Sequence, residues 1–154
     1  MRVVVDTGPL VAATYRRDRA HGLAAALLTE LGRNAFVPEP VLVETDQLLR
    51  ARLGPVAARA LLRSVADGEV GVACLTPGLL RRAVAIDARF ADLDLGFVDA
   101  AVMAVAEREG LPILTFDFED FRAAPQADGS AWPLVVDEAA FLRLTAPRRT
   151  EPHG

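Results

Sequence analysis

Short apolar runs alternate with amphipathic stretches along this chain, and the alternation sets the elements to expect. Val3 to Val5 is wholly apolar and β-branched and closes at Asp6-Thr7-Gly8-Pro9, the pattern of a strand buried on both faces followed by a helix start. Leu10 to Tyr15 continues as a short helix, and Asp18 is placed to cap a second one that carries Leu23, Leu27, Leu28 and Leu31 and ends at Gly32. Ala35-Phe36-Val37 reads as another strand, after which Pro38, Glu39 and Pro40 turn the chain into a helix from Val41 to Leu53. Gly54 stops that helix. Pro55 opens the next, with Val56, Leu61, Leu62 and Val65 on its apolar side and Asp67-Gly68 at its end.

The second half repeats the alternation. Val70 to Leu75 is a third strand, Pro77 to Phe90 a helix, and Gly96 a break before the long apolar helix Val98 to Glu109. Gly110 and Pro112 punctuate the entry to Ile113-Leu114-Thr115-Phe116, a fourth strand closed by Asp117. Ala123 to Ala131 is a polar loop, Leu134-Val135-Val136 is a candidate last strand, and Asp137 is a candidate cap for a final helix through Leu144. Apolar strands alternating with helices indicate an α/β fold, a central parallel sheet of four or five short strands flanked by helices. In such sheets ligands sit outside the carboxyl ends of the strands, where the strand order reverses.

Composition narrows this picture. With 154 residues, 52% of them hydrophobic, the chain can bury one sizeable core and has little room for a second, so residues 1–145 are read as a single domain. Residues 146–154 carry no apolar period and are expected to be a disordered tail. No charged region, apolar stretch and cleavage site occur in the order of a signal peptide, and no apolar run reaches the roughly 18 residues of a membrane span, so a cytoplasmic protein without membrane contact is expected. Cys74 is the single cysteine; without a disulfide partner or metal-ligand spacing it is expected to be a small buried core residue.

The net charge of -4 argues against holding a polyanion by bulk positive charge, so any such contact must be local. All 17 basic residues are arginine, the side chain better suited to forked contacts with phosphate. Arg16, Arg17, Arg19, Arg50 and Arg52 are candidates by their nearness in sequence to the first acidic residues. Leu61 and Leu62 are available either to the core or to an interface.

Four carboxylates carry the candidate chemistry. Asp6 and Asp117 each follow an apolar strand immediately, so if those strands are neighbours both emerge at one sheet edge; singly, each is also an ordinary turn or capping residue. Glu44 lies one turn inside an apolar helix, near the boundary of its buried stripe. Asp99 stands in Phe97 to Ala106, apolar on nearly every face, where a carboxylate needs an N-cap role, an arginine or a cation. Taken together the four form an acidic pocket. Two like charges about 4 Å apart, at an effective dielectric of about 20, repel by about 4 kcal/mol, so the cluster needs a cation or shared protons. Oxygen-only ligands suit Mg²⁺ or Mn²⁺, and with only His21 and His153 in the chain neither zinc nor a histidine-centred mechanism has much to work with.

These residues resemble the PIN-domain ribonucleases, and within them the VapC-type toxins of toxin-antitoxin pairs, over nearly the whole chain to Phe121. The first motif is Val5-Asp6-Thr7-Gly8-Pro9-Leu10-Val11-Ala12; the second is Val43-Glu44-Thr45; the third is Leu95-Gly96-Phe97-Val98-Asp99-Ala100; the fourth is Leu114-Thr115-Phe116-Asp117-Phe118-Glu119-Asp120-Phe121. Any one is weak. Four in order, on independently read strands and helices, are specific. The resemblance implies an endoribonuclease using Mg²⁺ or Mn²⁺, neutralised by a cognate antitoxin and commonly a homodimer. It makes Asp6, Glu44, Asp99 and Asp117 the catalytic and metal-binding acids, with Thr7 and Thr115 as supporting hydroxyls. Asp120 also fits the pattern, or serves as a cap for the segment of Phe121.

The alternative is a PIN-like RNA- or protein-binding regulator with little or no catalysis, although none of the four acidic positions is substituted. A phosphatase or nucleotide-binding protein of similar topology would carry GxGxxG, GxxxxGK[ST], or a second aspartate two places after Asp6, and the sequence has none of these.

Overall fold

The computed structural model describes residues 1–148. Each strand is followed by helices: β1 (Val3–Val5) by α1 (Thr7–Thr14) and α2 (His21–Leu31), β2 (Ala35–Pro38) by α3 (Glu39–Leu53) and α4 (Pro55–Ala66). β3 (Gly71–Ala73) leads to α5 (Pro77–Arg89) and α6 (Phe97–Glu109), and β4 (Ile113–Leu114) to α7 (Phe118–Ala123) and α8 (Glu138–Leu144). The four strands form one parallel sheet in the order β3-β2-β1-β4. This is the α/β architecture expected, with four strands rather than five. From β1 the chain steps outward through β2 to β3, then returns to the other side of β1 for β4, so the order reverses between β1 and β4. The register there pairs Val4 with Ile113 and Val5 with Leu114, which brings the next residues on each strand, Asp6 and Thr115, level with one another.

The core explains why α6 is apolar all round. Ala100 to Ala106 are all buried, and this helix packs on α3, α5 and the sheet strands β1 and β2. The alanines bring its backbone close to the sheet while Val102, Met103 and Val105 fill the remaining space. A second cluster of Val11, Leu49 and Ala58, with Leu48 and Leu61 against it, ties α1, α3 and α4 together. That packing answers one of the questions left by the leucines of α4: Leu61 belongs to this cluster.

The helix start read at Asp6-Thr7-Gly8-Pro9 holds, α1 running from Thr7, because Asp6 accepts the Thr7 N–H at 2.8 Å and caps the helix. Several expected boundaries move for identifiable reasons. Asp18 does not cap α2; its carboxylate takes the Ala20 N–H at 2.8 Å, and the cap residue is Ala20. The third strand shrinks to Gly71–Ala73 because the Leu75 N–H goes to the Glu39 carboxylate at 2.8 Å instead of to a neighbouring strand. Cys74 therefore leaves the sheet and is exposed, against the expectation of a core residue, and the nearby Glu39 carboxylate pushes its thiol up. β4 ends at Leu114, since Thr115 turns its side chain to Asp6. The last candidate strand is reduced to one parallel bridge between Leu134 and Ile113. Asp137 does cap α8, accepting the Ala140 N–H at 2.7 Å. Of the expected tail, residues 146–148 have no regular structure and 149–154 lie outside the described residues.

Candidate active site

The site is built where β1 and β4 end. Asp6 is held on both carboxylate oxygens: Oδ1 accepts the Thr7 N–H at 2.8 Å and Oδ2 accepts the Thr115 hydroxyl at 2.8 Å. The Thr115 Oγ1 in turn accepts the Asp117 N–H at 3.0 Å, so one hydroxyl fixes the spacing between the two strand-end aspartates. Asp117 caps α7 through the Asp120 N–H at 3.3 Å, and this short helix carries Asp120 back toward the cluster. Capping and clustering are thus the same arrangement: the turn chemistry that shapes each strand end also aims its carboxylate.

Asp99 arrives from the opposite side, in the first turn of α6. It makes no capping bond; the cap is Gly96 at φ 87°, a left-handed-side conformation that L side chains rarely adopt, and no side chain caps the helix. The capping explanation for Asp99 therefore fails. One carboxylate oxygen from each of Asp99, Asp117 and Asp120 falls within 4.8 Å of the others.

Asp6, Glu44, Asp99 and Asp117 all line a single cavity of about 390 Å³, together with Asp18 and Arg52. Glu44 faces it from α3, and Arg52 two turns further along the same helix shares the same lining. Of the other candidate arginines, Arg50 is engaged with Asp46 at 2.8 Å, Arg19 lies over the Phe141 ring, and Arg16 and Arg17 are exposed and do not line the cavity. Asp120 joins the acids more closely than the sequence indicated. Asp18, read only as a cap, was missed as a wall of the site. Its location in the turn after α1, the helix that Asp6 starts, is the signal that places it there.

The electrostatics register the crowding. Asp99 is pushed up to about 8, by burial first, then by the charge of Asp6, by a hydrogen bond with Asp120 and by the charges of Asp117 and Asp120. Asp117 is pushed up to about 6 by desolvation of its carboxyl and the hydrogen bond shared with Asp120, although part of the residue faces solvent. Burial also raises Asp6, against the hydrogen bonds from Thr115 and Thr7 that lower it. Near neutral pH such a cluster either keeps protons or takes up a cation.

The donor set fits a hard divalent cation. It offers carboxylate oxygens only, clustered closely enough to share an ion, and the two oxygens of Asp6 keep free lone pairs beyond the bonds they accept. Thr7 adds a buried hydroxyl on the cavity wall that finds no partner among the described residues. The acidic cluster is thus consistent with a site for such an ion.

A family profile described as PIN domain matches residues 3–126. Ribonuclease VapC26 of Mycobacterium tuberculosis is 26% identical over 134 residues, covering 86% of this chain and 99% of that protein. The crystal structure of M. tuberculosis VapC20, described as a sarcin-ricin loop cleaving toxin, superposes with a TM-score of 0.70 at 28% identity, covering 77% of this chain and 92% of the other. The DNA-bound VapBC of Salmonella typhimurium shares the fold, with a TM-score of 0.63 at 16% identity over 85% of this chain and 96% of that one.

Proposed function

The chain belongs to the PIN-domain family, whose relatives here include VapC ribonuclease toxins, and from that footing we propose that it is a metal-dependent endoribonuclease acting as the toxin of a type II toxin-antitoxin pair. The observation that carries the proposal is the convergence of Asp6, Glu44, Asp99 and Asp117 on one cavity at the sheet's switch point, with Asp120 completing a close group of carboxylates.

Asp99, Asp117, Asp6 and Glu44 are assigned to hold Mg²⁺ or Mn²⁺, with Asp120 beside them; the bound ion supplies polarisation of the phosphoryl group and activation of water. The chain's own residues do the positioning. Thr115 fixes Asp6 and the Asp117 backbone relative to one another, so the reacting phosphate meets carboxylates whose spacing is set before it arrives. Glu44 faces them across the cavity and is placed to orient the attacking water. Arg52, on the Glu44 face of α3, supplies the cavity's positive charge for a non-bridging phosphate oxygen. A toxin of this kind is neutralised by a cognate antitoxin, which is the protein partner proposed here; the relatives named as toxins support that reading.

Expression of the intact protein arrests growth and produces cleaved RNA, whereas Asp6→Asn does neither while folding normally. Growth arrest by both, without RNA cleavage by either, overturns the enzyme reading in favour of a binding module.

A further inference from the structure

Beyond the acidic cavity, a second hollow of about 260 Å³ opens against Arg19, Phe116, Asp117, Phe118, Glu119 and Phe141. Phe116 and Asp117 line both hollows, so the second is a direct continuation of the first past the end of β4. Its floor is aromatic and fixed. The Phe116 and Phe141 rings are 4.7 Å apart between centroids and Phe118 lies 5.4 Å from Phe141, so Phe141 is braced on two sides. Over that braced ring sits the Arg19 guanidinium, 5.5 Å from the centroid, presented by the turn between α1 and α2.

Resting on the ribonuclease reading above, we propose that this hollow is the subsite for the base of a nucleotide flanking the scissile phosphate, with Arg19 as its stacking platform. An arginine laid on an aromatic ring offers its outer face to a base, a contact used widely by proteins that take single-stranded RNA. The charges favour a base over a second phosphate. Asp117, Glu119 and Glu138 all line the hollow and would repel an anion, while Glu138 is already engaged by Arg122. Glu119 remains to accept N–H donors from the base edge, so bases bearing an exocyclic amine fit best. Arg19 binds the base and takes no part in the chemistry; of the four acids assigned to the metal, Asp117 is the one that lines this hollow with it.

The test is binding of a short fluorescent single-stranded RNA in Mn²⁺, with Asp99→Asn in the background to prevent turnover, and an abasic residue moved through the RNA one position at a time. The parent is expected to lose affinity sharply at one abasic position. Adding Arg19→Ala weakens binding of the intact RNA about 5-fold or more and removes that sensitivity. Arg19→Lys keeps the charge, loses the plane and recovers only part of the affinity. Arg16→Ala, on the exposed turn nearby, leaves binding unchanged. A parent indifferent to every abasic position, or an Arg19→Ala protein that binds like the parent, overturns the subsite while leaving the nuclease proposal standing. Failure of the native protein to cleave RNA overturns the nuclease proposal, and the binding comparison still decides the subsite.

Discussion

Asp99 illustrates how a single carboxyl reports on its surroundings. It is held at about 8 in the folded chain against an ordinary value of 3.8, so between those values the native state keeps a proton that the unfolded chain has lost. A state that binds more protons loses ground as they become scarce, and the stability of the metal-free protein therefore falls as pH rises through this window. Asp117, pushed up to about 6, adds to the fall in the lower part of it. The charges that shift Asp99 are acidic, Asp6 from the end of β1, Asp117 from the cap of α7 and Asp120 within it, and together with burial they outweigh Arg52 on the wall of the same cavity. Thermal unfolding in EDTA should show Tm dropping from about pH 5 to about pH 8, with Mn²⁺ restoring most of the loss at the upper end and little at the lower. A metal-free Tm that is flat or rising over that range is inconsistent with the cluster described. At about pH 8 the same logic makes Asp99→Asn more stable than the native chain without metal, by about 2 °C or more, because the substitution removes a charge that burial and the neighbouring acids disfavour. A lower Tm for the variant would mean that Asp99 has a partner not seen here.

At the scale of elements, the site depends on two strand ends held in register. Thr115 does this with one hydroxyl, which donates to Asp6 and accepts from the Asp117 backbone while being almost fully buried. Thr115→Val keeps the shape and removes both bonds, leaving a buried acceptor and a backbone donor unpaired at a cost of about 1–3 kcal/mol. Cleavage should fall about 10- to 100-fold with the fold retained, measured by urea unfolding alongside RNA turnover. Native-like turnover in the variant would show that the backbone alone holds Asp6 and Asp117 in place. The elements themselves were largely legible, because β-branched runs such as Val3 to Val5 and the all-apolar α6 leave few alternatives. What escaped were ends decided by long-range side-chain bonds. Glu39 truncates β3 from 36 residues away and so exposes Cys74, and Thr115 leaves β4 for a partner 109 residues distant. No local pattern encodes either event.

For the whole molecule, the sequence grouped Asp6, Glu44, Asp99 and Asp117 in one acidic pocket but did not show how Asp120 and Asp18 join them. Asp6 and Asp117 were placed by their strand ends, yet the closeness of Asp120 to Asp99 depends on how α7 turns back against α6, and the inclusion of Asp18 on how α1 and α2 are joined. The choice of Arg52 and Arg19 among the arginines likewise needed the path of the groove. With a net charge of -4 and few arginines lining that groove, the molecule should hold RNA by a small number of contacts rather than by a basic face. With Arg52 on a phosphate and Arg19 on a base, one phosphate contact predicts a slope of log K against log salt of about -0.7 for single-stranded RNA. A slope steeper than about -4 would reveal an electropositive surface elsewhere.

The central claim, that clustered carboxylates make this chain a metal-dependent ribonuclease, is tested most directly by titrating Mn²⁺ into an RNA cleavage assay of the native protein and of Asp99→Asn. The account predicts no cleavage in EDTA, a rate that rises to saturation with Mn²⁺ in the native protein, and a loss of about 100-fold or more in the variant at every concentration. Cleavage that persists in EDTA, or that proceeds equally in Asp99→Asn, would contradict it.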